Sequence, residues 1–90
     1  IIGILEDKDI YTIMSMLPKQ ARYYWTKGST KRAFPEASLK VFGEQFGLQG
    51  SCYATVEEAY NTAIEGAQND DFIFVGGSTY VVADLLKTRI

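Results

Sequence analysis

Apolar residues along the chain alternate between short continuous runs and stretches with helical spacing. Continuous apolar or aromatic runs occupy residues 1–5, 22–26 and 72–75, and a weaker run lies at 51–54. Runs rich in β-branched and aromatic residues are typical of strands that are covered on both faces of a sheet. After each run, apolar residues recur three or four positions apart, which predicts an amphipathic helix. The pattern therefore predicts about four strand–helix units.

Residues with known preferences for helix ends mark the boundaries of the predicted helices. Asp7 is predicted to cap the first helix, because its side chain can accept a bond from an unpaired backbone amide. Pro35 suits the first turn of the second helix, and Gly47 suits the end of that helix. Thr55 and Glu58 have the spacing of a capping box, in which each side chain bonds to the backbone of the other residue. These signals place the helices between the apolar runs.

Strands that alternate with helices of about ten residues pair in parallel through right-handed crossovers, with helices on both faces of the sheet. The predicted fold class is therefore α/β, a three-layer αβα arrangement with a Rossmann-like, mainly parallel sheet. Residues 1–90 have no low-complexity segment and no linker, so we expect them to form one domain. Residue 1 already lies in an apolar run, so we expect a further strand and helix upstream. Val75 and Leu85 are predicted to be buried between the last strand and its helix.

The last apolar run ends in a glycine turn before helical spacing resumes. Gly76 and Gly77 let the chain turn at backbone angles that other residues resist, and Ser78 or Thr79 can cap the following helix. Backbone amides at a helix N-terminus bind anions. The turn is therefore a candidate anion site.

Charged and hydroxyl side chains follow several of the predicted strands. In open α/β sheets, ligands bind beyond the carboxyl ends of the strands. The side chains predicted at that edge are Lys8, Lys27, Lys31, Arg32 and Ser78, together with the carboxylates of Asp7 and Asp9. Each has a simpler structural explanation as a cap, a solvated lysine or a common turn. Their convergence on one edge favours a site for a carboxylate or phosphate.

Composition limits the classes of function. The 90 residues are 47% hydrophobic and 22% charged, which is sufficient for a packed core. A net charge of −2 and a pI near 5.0 give no reason to expect nucleic acid or an acidic membrane as a partner. No apolar run approaches the ~20 residues of a membrane span. The single cysteine, Cys52, is expected to be structural and fits a reducing compartment, so we expect a cytoplasmic location.

The residues that several kinds of catalytic site require are absent from this sequence. Histidine is absent, which excludes triads, Cys–His dyads and the usual zinc ligand sets that depend on it. The phosphate-binding patterns GxxxxGK[ST] and GxGxxG do not occur. We therefore expect no catalytic residue, no metal site and no bound cofactor in this chain by itself.

Five stretches, taken in order, resemble the C-terminal domain of folylpolyglutamate synthase, a relative of the Mur ligases. They are ILEDKD at 4–9, YWT at 24–26, KRAFP at 31–35, TVEEA at 55–59 and DFIFVGGSTYVVA at 71–83. The bifunctional bacterial form, which is also a dihydrofolate synthase, is the closer likeness. One departure is Phe34, where the family more often has Leu or Met, and this changes bulk rather than chemistry.

The resemblance implies an ATP-dependent ligase that forms a C–N bond between an acid and an amino acid. In this family ATP phosphorylates a folate carboxylate, and the amine of L-glutamate attacks the acyl phosphate. An N-terminal ATPase domain holds ATP, Mg²⁺ and folate, while the C-terminal domain helps bind glutamate and closes the cleft. Residues 1–90 would then be most of that C-terminal domain, inactive alone. The family's aspartate–histidine strand has no counterpart here, which agrees with the expected upstream strand.

The resemblance also suggests individual site residues. Ser78 matches the family serine that contacts the incoming amino acid. Lys8 and Asp9 match an Asp-Lys-Asp turn and Arg32 matches an Arg-Ala-x-Pro turn, while Gly76 and Gly77 complete the candidate rim of the cleft. The sequence assigns no separate role to Lys8, Asp9 or Arg32.

Two other classes remain open at this point. A stand-alone flavodoxin-like or receiver-like domain that binds small ligands has the same strand–helix rhythm. A receiver should also have an acidic pair, a phosphoacceptor aspartate and a late lysine, whereas the last run here ends in Gly-Gly-Ser. A purely structural interaction domain should not respond to small ligands at all.

Overall fold

Helices and strands alternate along the chain in the computed structural model, which describes residues 1–88. The elements are α1 (Ile10–Met16), β1 (Arg22–Trp25), α2 (Glu36–Gln45), β2 (Gln49–Cys52), α3 (Val56–Gly66) and α4 (Thr79–Thr88). Extended segments at residues 1–5 and 72–76 precede α1 and α4. The predicted α/β class, with about four strand–helix units, is confirmed.

The sheet consists of two parallel strands, β1 and β2, and residues 1–5 and 72–76 extend it through isolated parallel bridges. β1 pairs with β2, and Tyr24 lies opposite Ser51. Ile2 bridges in parallel to Trp25 on one side and to Gly76 on the other. The spatial order is therefore β2, β1, residues 1–5 and residues 72–76.

Helices cover both faces of this sheet. Because side chains alternate along a strand, Tyr23 and Trp25 of β1 face α1 and α2, whereas Tyr24 faces α3. The first cluster is centred on Trp25, Leu39 of α2 and Met14 of α1. The second cluster surrounds small residues of α3, and α4 packs beside α3. The three-layer αβα arrangement follows from this alternation.

The last extended segment differs from the fully covered strand that its composition predicts. Phe72 and Phe74 are 89% and 59% exposed, whereas Ile73 and Val75 pack against the α3 cluster. The segment lies at the edge of the described sheet and pairs through Gly76. Within residues 1–88, only one of its faces is covered, so the prediction of a strand buried on both faces is wrong.

Asp9, rather than Asp7, caps α1. The Asp9 carboxylate accepts bonds from the Thr12 amide at 3.2 Å and from the Thr12 hydroxyl at 2.7 Å. An N-cap must directly precede the first helical residue, and α1 begins one position after Asp9. The predicted cap of α3 is confirmed, because the Thr55 hydroxyl accepts a bond from the Glu58 amide at 3.1 Å.

α4 packs on the sheet through its first turn. Val81 is fully buried, and a Cβ placed on Gly3 would lie 2.6 Å from its Cγ2 atom. Val75 and Leu85, which were predicted to be buried, are only half-buried. Leu85 is less buried than predicted because the contact between helix and sheet is centred one turn earlier, on Val81, and Val75 packs against the cluster around α3 instead.

Candidate functional site

The direction of the strand order changes between residues 1–5 and residues 72–76. β1 and β2 lie on one side of the first segment, and the last segment lies on the other. The helices that follow these two segments, α1 and α4, pack on opposite faces, with α2 and α3 respectively. At such a point, open α/β sheets bind ligands in a crevice beyond the carboxyl ends of the strands, so we take this edge as the candidate site and call it the crevice. The turns at 6–9 and 76–79 border it.

Ser78 lies in one wall of this crevice and caps α4. Its Oγ atom accepts a hydrogen bond from the Val81 amide at 3.3 Å. Capping uses only an oxygen lone pair, so the hydroxyl hydrogen can still be donated to a ligand. Among residues 1–88, the amides of Thr79 and Tyr80 have no acceptor, as is usual for the first turn of a helix. One hydroxyl and two amides can therefore donate to an anion here.

Packing within the chain requires glycine at position 77, whereas a side chain at position 76 would meet only the exposed ring of Phe74, which can move. Gly77 has φ 99°, and a Cβ at this position would lie 2.2 Å from the Gly3 carbonyl oxygen. Gly76 is buried, and a Cβ there would lie 2.8 Å from ring atoms of Phe74. Gly77 is exposed, so of the two only Gly77 is open to a ligand.

The loop between β1 and α2, residues 27–34, runs along the same edge. Its far end is bonded to the first segment, where the Phe34 amide donates to the Ile4 carbonyl at 2.8 Å. Its near end is bonded to α4, where the Ser29 amide and hydroxyl both donate to Oδ2 of Asp84 at 2.8 Å. Sequence reasoning missed Asp84, because Ser29 and Asp84 are 55 positions apart and neither belongs to a motif.

The edge is less cationic than the sequence suggests. Arg32 pairs with Asp7 at 3.0 Å, and Lys27 lies 3.9 Å from Glu36. Within the described part of the chain, Lys8 and Lys31 are exposed and have no ion-pair partner.

Asp9 has a structural task at this edge. The Thr12 hydroxyl, and after it the Thr12 amide, lower the pKa of the Asp9 carboxyl. The carboxylate is therefore ionised at neutral pH and bonded within α1. Of the candidate residues, Ser78, Lys8 and Gly77 are open to a ligand, whereas Asp9 and Arg32 are already bonded and Gly76 is buried.

The described residues do not provide a metal site. Across residues 1–88, no group of three or more Cys, Asp or Glu side chains could hold a metal ion. Cys52 is a free, half-buried cysteine that packs against the α1/α2 cluster. No helix in the same range is long and apolar enough to cross a membrane. At the candidate edge, the hydrogen-bond donors of the Ser78 turn and the charge of Lys8 can bind an anion.

Comparison with known proteins gives similarity over the whole chain. A dihydrofolate synthase/folylpolyglutamate synthase from Buchnera aphidicola is 30% identical over 92 aligned residues, which cover 100% of this chain and 22% of that protein. The structure of E. coli FolC in complex with DHPP and ADP matches with a TM-score of 0.81 and 24% identity, over 98% of this chain and 20% of that one. No protein-family model matches the chain.

These matches confirm the resemblance first seen in the five sequence stretches. The structural match supports the αβα fold, and the sequence match extends over the same residues as the fold. The chain spans about a fifth of the length of each protein, 22% and 20% respectively.

Proposed function

We propose that this chain, which resembles the folylpolyglutamate synthases in sequence and fold, is most of the C-terminal, glutamate-binding domain of such a ligase. The parent enzyme would use ATP to activate a folate carboxylate as an acyl phosphate and would join L-glutamate to it. The observation that carries the proposal is the Ser78 turn. A capping hydroxyl with a free hydrogen and two unpaired amides lie at the crevice of the sheet.

The donors of this turn suit a carboxylate of glutamate. The Ser78 hydroxyl and the amides of Thr79 and Tyr80 belong to the first turn of a helix, where the helix dipole also favours negative charge. Lys8 and Gly77 are the further rim residues that a ligand can reach. Arg32 would first have to leave Asp7 before it could bind a substrate.

The remaining parts of the reaction would come from elsewhere in the parent chain. ATP and Mg²⁺ would be held mainly by an N-terminal ATPase domain, since residues 1–88 offer no acidic cluster for a metal. The present chain would help bind glutamate and close the active site, in a cytoplasmic enzyme. On its own it would not ligate glutamate.

The test uses the full-length protein that carries this sequence. We expect glutamate-dependent release of ADP in the presence of a folate and Mg²⁺. Ser78→Ala should raise the glutamate KM by about ten- to a hundredfold, the effect of losing one hydrogen bond to a charged group. ATP and folate KM values should stay nearly unchanged.

Thr55→Ala is the matched control, because Thr55 also caps a helix but lies at the start of α3. Both variants should lose on the order of 1 kcal/mol of stability, whereas only Ser78→Ala should alter the glutamate KM. An unchanged glutamate KM in Ser78→Ala would show that Ser78 acts only as a helix cap. No glutamate-dependent ADP release from the full-length protein would instead favour a flavodoxin-like or receiver-like binding domain.

A further inference from the structure

Asp84 connects two parts of the crevice that are distant in sequence. A single carboxylate oxygen, Oδ2, accepts bonds from both the amide and the hydroxyl of Ser29, each at 2.8 Å. Hydrogen bonds to an ionised carboxylate are stronger than neutral ones. Asp84 is half-buried and Ser29 is exposed, so the pair lies at the surface of the protein. Ser29 is thereby fixed to the second turn of α4.

The residue next to Ser29 touches α4 with its backbone. A Cβ placed on Gly28 would lie 2.5 Å from the Tyr80 Cβ and 3.1 Å from the Val81 amide nitrogen. Gly28 is buried at this contact. The loop therefore lies directly on the first turn of α4, the turn that Ser78 caps.

The far end of the loop has its own attachments. The Glu6 amide donates to the Arg32 carbonyl at 2.7 Å, and the Arg32 side chain pairs with Asp7. The loop thus spans the crevice from α4 to the turn after the first segment. Lys31 lies between the two attachments and is exposed.

We propose that Asp84 is a positioning residue, which holds the loop of residues 27–34 against the first turn of α4 so that substrate glutamate meets a preformed pocket. The inference rests on the proposed function, since it concerns the binding of the same amino acid. Asp84 itself does not contact glutamate. Its loss would let the loop move away from the first turn of α4, which Gly28 contacts and Ser78 caps.

The experiment compares Asp84→Ala, Asp84→Asn and Ser29→Ala in the full-length protein. Alanine removes the acceptor, and we expect the glutamate KM to rise about tenfold while kcat and the ATP KM stay within about twofold. Asparagine keeps an oxygen that can accept both bonds, so the glutamate KM of Asp84→Asn should stay close to the wild-type value. Ser29→Ala should raise the KM by less, and it should add nothing when Asp84 is already alanine.

Glu65→Ala is the control, because Glu65 is an exposed carboxylate on α3. It should leave the glutamate KM unchanged. A wild-type KM in folded Asp84→Ala, or equal effects of Ala and Asn, would overturn the proposal. Should Asp84→Ala fail to fold, an unchanged KM in Ser29→Ala would overturn it as well.

Hydrogen exchange separates this proposal from the proposed function. Asp84→Ala should speed amide exchange across residues 27–34, with Ser29 affected most and α3 unaffected. Full-length protein without glutamate ligation would refute the proposed function, whatever the exchange rates. Ligation with normal glutamate KM, or unchanged loop exchange, in Asp84→Ala would refute the positioning role alone.

Discussion

The guanidinium of Arg32 lies 3.0 Å from the carboxylate of Asp7, and their side chains are 59% and 57% exposed. The pair joins the loop after β1 to the turn after the first segment. The pair also engages the Arg32 guanidinium, which the sequence analysis predicted as part of an anion-binding rim. Whether Arg32 binds a substrate therefore depends on how readily it leaves Asp7.

Asp7→Asn should free Arg32 at little cost in stability. Exposed ion pairs contribute about 0–1 kcal/mol, so the free energy of unfolding should change by less than about 1 kcal/mol. If Arg32 contributes to the rim, the glutamate KM of the full-length protein should fall up to about fivefold. The double variant Asp7→Asn/Arg32→Ala should lose that gain. A KM that is the same in all variants would remove Arg32 from the site.

Gly77→Ala should destabilise the domain strongly. A side chain at φ 99° is strained, and its Cβ would also lie 2.2 Å from the Gly3 carbonyl oxygen. We expect a loss of more than about 2 kcal/mol in denaturant unfolding.

Substitutions at two other glycines distinguish the cost of backbone strain from the cost of the steric clash. Gly47 has φ 76°, and a Cβ there would meet only the Lys19 Cδ atom at 4.0 Å, so Gly47→Ala should cost about 1 kcal/mol from strain alone. Gly66 lies in α3 with its nearest neighbour 3.8 Å away, so Gly66→Ala should be neutral or slightly stabilising. Equal losses of stability in Gly77→Ala and Gly47→Ala would show that the turn at Gly77 can move away from Gly3.

Val81 and Leu85 test which turn of α4 packs on the sheet. Val81 is 0% exposed and contacts the first segment, so Val81→Ala should cost roughly 2 kcal/mol through lost burial and a residual cavity. Leu85 is half-buried, so Leu85→Ala should cost less even though it removes more atoms. Chemical denaturation of both variants measures the difference. A larger loss for Leu85→Ala would mean that α4 packs through its second turn.

The sequence by itself determined the class of fold and the position of the Ser78 turn. Strand-like and helical spacing are local properties, since each depends on which side of one element is apolar. The same holds for Thr55 and Ser78, because a cap bonds to an amide only three residues away. The ordered stretches also carried the resemblance to the folate ligases, which the matches confirmed.

Only the tertiary structure decided which candidate residues are free and which are bonded. Arg32 and Asp7 are 25 positions apart, and Ser29 and Asp84 are 55 apart, so no local pattern pairs them. The choice of Asp9 over Asp7 as the cap of α1 depended on where the helix begins, and the exposure of Phe72 and Phe74 depended on their place at the sheet edge. Position 77 likewise requires glycine because a side chain there would clash with the carbonyl of Gly3, near the opposite end of the chain. Contacts of this kind exist only after the strands have been ordered in space, because the order of the strands sets which distant residues become neighbours.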